Sequence, residues 1–167
     1  MEHLRPFAPG AFEYGLAAWS WLDLPGKNPR FATVFGDVLL ESLEGWWFLD
    51  TVEGTLELRW PTAVELSAEL DSPEGRQDLL LEDLVVEAAQ RGVVPEADEV
   101  LTFMPHPALG GRLSGECAVP VRLELALRMC GEVHRQVRRR AAPEPSPLLL
   151  GHSLGAHADW GTTLSRP

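Results

Sequence analysis

Cysteine, positive charge and long apolar runs are all scarce in this chain of 167 residues. The two cysteines, Cys117 and Cys130, stand thirteen positions apart with no CxxC pair, which excludes a disulfide framework and a cysteine-built zinc site. Lysine and arginine number 14 against 25 aspartates and glutamates, a net charge of -11. Surfaces for nucleic acid or anionic lipid need concentrated positive charge, so neither partner is expected. No apolar run approaches a membrane span, and the N-terminal MEHLRPFAPG has neither a basic stretch nor an apolar core to read as a signal peptide. The expected compartment is a reducing cytoplasm.

What is present fits one folded domain. Hydrophobic residues make up 45% and charged residues 23%, ordinary for a globular protein, and the length suffices to bury a core without staples. Residues 1–30 are rich in aromatics and turn formers; 16–22, with Trp19 and Trp21, is open between helix and strand. Residues 31–60 read as an antiparallel meander: FATVFGDVLLES, WWFLDT and TLELRW, punctuated by Glu44-Gly45 and Glu53-Gly54. Trp46 and Trp47 fall on opposite faces of one strand. Pro61 precedes a helix ending near Asp71; Ser72-Pro73 starts a second, running to Gly92 with Leu80, Leu81, Leu84, Val85 and Ala88 at helical spacing. EVLTFM reads as a fourth strand, and Pro120 opens a last helix whose stripe is Ala126, Cys130, Val133 and Val137. Three prolines in 141–147 stop that helix. The expected fold is α+β, an antiparallel meander of about four or more strands packed against three or so helices. It forms a single domain over 1–140 (a less defined segment at 1–30, a core at 31–140), with a Pro-rich tail at 141–167.

The tail carries Gly-His-Ser-Leu-Gly around Ser153, the spelling of a hydrolase nucleophile elbow. Such an elbow needs a buried strand before it and later loops that deliver an acid and then a histidine. Only fourteen residues follow Ser153, and His157 and Asp159 come in the reverse order. Ser153 is therefore read as a decoy, and a serine hydrolase as the lesser alternative. The five histidines form no HExxH pattern, and His152 and His157 fall on different helix faces, so no metal or cofactor is expected. Arg138, Arg139 and Arg140 end a helix, where cations offset the macrodipole.

The acidic excess is uneven. Residues 37–99 hold 17 carboxylates against Arg59, Arg76 and Arg91, a net of -14, whereas 111–140 hold seven arginines against three glutamates, a net of +4. If Glu41, Glu44, Asp50 and Glu53 gather around the hairpin ends, they make a compact anionic surface that steers a basic partner. The candidate partner-binding residues are thus Asp37, Glu41, Glu44, Trp46, Asp50 and Glu53.

The order Phe35-Gly36-Asp37-Val38-Leu39-Leu40, Trp47-Phe48-Leu49-Asp50-Thr51, Glu53-Gly54-Thr55-Leu56, Leu109-Gly110-Gly111 and His134-Arg135-Gln136-Val137-Arg138 resembles the C-terminal domain of type VI secretion immunity proteins of the Tdi kind. The likeness covers residues 31–140. It implies a non-enzymatic, partner-binding role as cognate antidote to a secreted DNase, and supplies no catalytic residues. The first thirty residues are too short for the GAD-like companion domain that often precedes this one, and the tail lies outside the pattern. A housekeeping interaction or regulatory domain is the alternative in the same class.

Overall fold

A computed structural model describes residues 4–141 of the chain. Pro9, whose fixed φ suits a first turn, opens α1 (Pro9–Leu16), and a single 3-10 turn over Ala17–Trp19 follows. The stretch left open by sequence is therefore helical as far as Trp19 and a turn beyond it, and it swings Trp19 fully inside, where the indole Nε1 donates to the Leu127 carbonyl at 2.8 Å. The meander comes next: β1 (Asn28–Ala32), β2 (Val38–Ser42), β3 (Gly45–Asp50) and β4 (Thr55–Trp60), all antiparallel and in chain order. The run FATVFGDVLLES is two strands rather than one. Gly36 at φ +87° closes a tight turn between them, which L residues rarely adopt, and the Thr33 amide donates back to the Asp37 carbonyl.

Alternation along the strands gives the sheet two apolar faces. Val38, Leu40 and Leu49 meet Phe12, Trp19, Leu123, Ala126 and Leu127 on one side. On the other side, Leu39, Phe48 and Trp60 meet Leu66, Leu70, Leu79 and Leu80. Trp47 and Trp46 divide between these faces, as their adjacency in a strand requires. The sheet is thus the middle of three layers.

Thr62 caps α2 (Ala63–Asp71), its hydroxyl accepting from the Glu65 amide, and Ser72 caps α3 (Pro73–Asp78) in the same way through Gly75. The long helix expected up to Gly92 breaks here: α3 ends at Asp78, Leu81 takes a left-handed φ of 51°, and α4 (Glu82–Gln90) follows. The cause is burial in two places. Leu79 and Leu80 belong to the core beneath the sheet, whereas Leu81, Leu84, Val85 and Ala88 pack on a third cluster around Phe35 and Phe103, whose rings stack at 4.7 Å. One straight helix cannot reach both.

The expected fourth strand is β5 (Glu99–Phe103), but it leaves the meander and pairs with β6 (Ala118–Arg122). Pro120 accordingly lies inside a strand and opens no helix; a two-stranded sheet leaves it an outer edge, where its missing N–H costs nothing. The helix α5 begins at Leu123 and runs to Ala141. Of the expected stripe, Ala126 and Cys130 are buried while Val133 and Val137 are half-buried, because the inner face also takes in Leu127, Gly131 and His134. Two glycines allow this close approach. A Cβ on Gly15 would lie 2.7 Å from that of Leu127, and one on Gly131 would lie 2.9 Å from that of Ala18. Among the described residues no helix is long and apolar enough to cross a membrane.

Leu40 and Leu43 separate core from surface within one strand and its turn. Leu40→Ala should cost about 2–5 kcal/mol, read as a lower denaturant midpoint at unchanged slope. Leu43→Ala, at a fully exposed position, should leave the midpoint in place.

Candidate functional site

The β3–β4 turn is the polar centre of the molecule. Asp50 Oδ1 accepts from the Val52 and Glu53 amides, both at 2.8 Å, which sets the turn, and Gly54 at φ +70° completes it. Thr51, its first residue, is buried. Its amide and its hydroxyl both donate to Asp37 Oδ1 at 2.8 Å, while Asp37 Oδ2 accepts from the Thr33 hydroxyl at 3.0 Å. Its carbonyl accepts from Nε2 of His106 at 3.1 Å and from Nε2 of His134 at 3.0 Å. The Ala108 amide donates to His106 Nδ1, so that ring is neutral with its proton on Nε2. The two imidazoles meet edge to face with centroids 5.1 Å apart. Gly54 lies against His134 so closely that a Cβ would sit 2.5 Å from its Nδ1.

This network perturbs its members. Burial, helped by the nearby Asp50 charge, raises the Asp37 carboxyl to about 6, against the opposing hydrogen bonds from Thr51 and Thr33. Burial likewise lowers His106, favouring the neutral ring that its hydrogen bonds already specify. Cys130, hydrogen-bonded to Thr102, is pushed up to about 12 by burial and so stays a thiol. Both oxygens of Asp37 and the Nε2 atoms of both histidines are thus committed to closing the fold around Thr51.

The six residues singled out from sequence separate. Asp37 is buried and committed to Thr33 and Thr51, a correction to its place among surface contacts. Glu41 is paired with Arg30 at 2.8 Å. Glu44 is exposed in the β2–β3 turn, and Trp46 is half-buried, stacked on Phe31. Asp50 and Glu53 belong to the β3–β4 turn. Successive hairpins turn at opposite ends of a sheet, and six residues of β3 span roughly 17–20 Å, so Glu41 and Glu44 are held apart from Asp50 and Glu53. The single compact anionic surface does not form. Ser153, with His152, His157 and Asp159, lies outside the described residues.

A different grouping takes its place at the Thr51 end. Asp50, Glu53 and Asp78 rim a cleft of about 160 Å³ walled by Phe48, Val52, Leu79, Leu81 and Leu113, with Asp37 beneath and no basic residue in its lining. Asp78 comes from α3 and was missed, as were Thr51 and His106, because nothing local in the sequence links those positions. The one available hint for Asp78 is that it ends a helix, where the macrodipole disfavours a carboxylate.

No protein-family model matches the chain, and no curated protein matches it. Among solved structures the chain is similar to the crystal structure of Atu4351 from Agrobacterium tumefaciens, with a TM-score of 0.51 at 14% sequence identity. That likeness is one of fold. It covers 78% of this chain, which spans 66% of the neighbour's length, and it accords with a mixed α+β architecture.

The buried carboxyl has a definite signature in pH. With its folded value near 6 and its ordinary value near 3.8, Asp37 keeps a proton in the folded state that the unfolded chain releases, so its contribution to stability falls as pH rises through that window. His106, lowered on folding, works the other way: its contribution is lost as pH falls below the ordinary histidine value. Asp37→Asn keeps the acceptor for Thr51, loses at every pH the one for the Thr33 hydroxyl, and removes the first titration. The stability of the native chain relative to this variant should fall by on the order of 2–3 kcal/mol between about pH 4 and pH 6 and stay level above. Parallel melting curves for the two across that range would show that Asp37 titrates normally.

Proposed function

We propose that the chain is a non-enzymatic protein-binding module, an immunity-like antidote that binds a basic secreted toxin such as a nuclease and covers its active surface. The observation that carries this reading is the cleft at the Thr51 end. Three carboxylates rim a pocket with leucine and phenylalanine walls, which suits the apolar stem and charged head of an arginine or lysine. A nuclease must present such side chains to phosphates, and an acidic cleft both attracts them from a distance and blocks their use. The turn beneath supports the reading, because the Asp50 carboxylate is held by the Val52 and Glu53 amides before any partner arrives. The position of Asp78 supports it too, since a carboxylate at the end of α3 works against the helix and needs another reason to be there. The resemblance over residues 31–140 points to the same class, and an antidote of this kind acts in the cytoplasm of the cell that makes the toxin.

The test is a pull-down of the tagged full-length chain from its own lysate, with mass-spectrometric identification and a salt titration of what is retained. A basic partner released by salt is expected. Glu53→Lys combined with Asp78→Lys should weaken its binding about tenfold or more without lowering stability, because lysine suits a helix C-terminus. Glu44→Lys, at the opposite end of the sheet, should leave binding intact. Equal binding by all three proteins would remove the cleft from the interface, and a stoichiometric partner that is neither basic nor salt-sensitive would favour a regulatory domain.

A further inference from the structure

The two outer strands of the meander are finished differently. At β1 the N-terminal segment closes part of the edge: the Arg5 amide donates to the Ala32 carbonyl, and the Ala32 amide donates back to Arg5. β4 pairs with β3 on one side, and among the described residues no backbone bridge is made to its other side. It is also the most exposed strand, with Thr55, Glu57, Leu58 and Arg59 all exposed. Open edges are commonly blunted by lysine, proline or a bulge; β4, reading TLELRW, has no lysine or proline, and its bulge lies at the Arg59–Trp60 end.

Its charges are instead arranged symmetrically about Leu58. We infer that β4 pairs antiparallel with β4 of a second copy of this chain, about a two-fold axis through Leu58. In that register Glu57 of each copy stands opposite Arg59 of the other, and the two Leu58 side chains meet at the centre. The neighbouring registers that preserve the faces are centred on Glu57 or on Arg59, and each sets like charges directly opposite. Glu57 lies on the α2 side of the sheet, as its partner Phe48 does, and Arg59 reaches the same side to pair with Glu69 of α2 at 2.6 Å. Each Arg59 would therefore lie between its own Glu69 and the other copy's Glu57. The bulge that sets Arg59 and Trp60 against Trp46 bends the end of β4 and keeps the new pairing short. The dimer is accordingly weak and concentration-dependent, and it is independent of what fills the cleft.

Sedimentation velocity of the full-length chain over a concentration series tests this, with circular dichroism to verify that each variant is folded. The native chain should pass from monomer to dimer with rising concentration. Glu57→Arg and Arg59→Glu should each weaken the dimer on the order of tenfold, and the two together, which exchange the charges, should restore it. A native chain that is monomeric throughout, a dimer indifferent to the single changes, or a double variant that fails to recover would each overturn the inference.

Discussion

Thr51 offers an amide, a hydroxyl and a carbonyl, and all three are engaged by residues from distant parts of the chain. Through Asp37 it holds the corner between β1 and β2; through His106, the loop leaving β5; through His134, the fourth turn of α5. The two-stranded sheet and α5 are connected to the meander at this point by more than apolar contact. Buried polar groups are costly when unpaired, and in this cluster each principal acceptor has a donor. Such a cluster favours one arrangement of the layers over alternatives that would be equally greasy. It also explains the tight approach of Gly54 to His134, since any side chain there would push the ring away from the carbonyl.

The same turn determines what the surface can present. Asp50 serves the turn with one oxygen while lining the cleft, and Glu53 stands three residues on in the same turn, so two of the three rim carboxylates are built on a hydrogen-bonded turn. Buried Asp37 lies below, its carboxyl raised partly by Asp50. A cation brought to the rim would oppose that effect. Occupancy of the cleft and ionisation of Asp37 are therefore linked, each favouring the other.

Much of the architecture could be read from residue patterns, because the signals were local. Glycine-punctuated apolar runs marked the hairpins, Pro61 and Ser72-Pro73 marked helix starts, and the α5 stripe marked a packed face. Where expectation and structure part, a distant contact decided. Pro120 looked like a helix opener because nothing nearby shows that β5 needs a partner at that position. The helix over 73–92 looked continuous because the division of its leucines between two cores is a property of the assembled layers. The candidate site was legible only in part. Asp50 and Glu53 were visible as turn acids, but Asp37 reads as one more surface carboxylate until Thr33 and Thr51 close over it. The alternation of hairpin ends was available from topology alone, and it is what separates Glu44 from Glu53.

Leu39 and its neighbours in β2 have a further consequence. Val38, Leu39 and Leu40 are wholly shielded, with paired strands on both edges and helices over both faces. Solvent has no partial route to this segment: fraying of α5 uncovers one face, loosening of α2 the other, and neither releases its ladder. Its amide protons therefore exchange with water only when the whole molecule opens, which makes β2 an internal gauge of global stability, in contrast to the open-edged β4 two strands away.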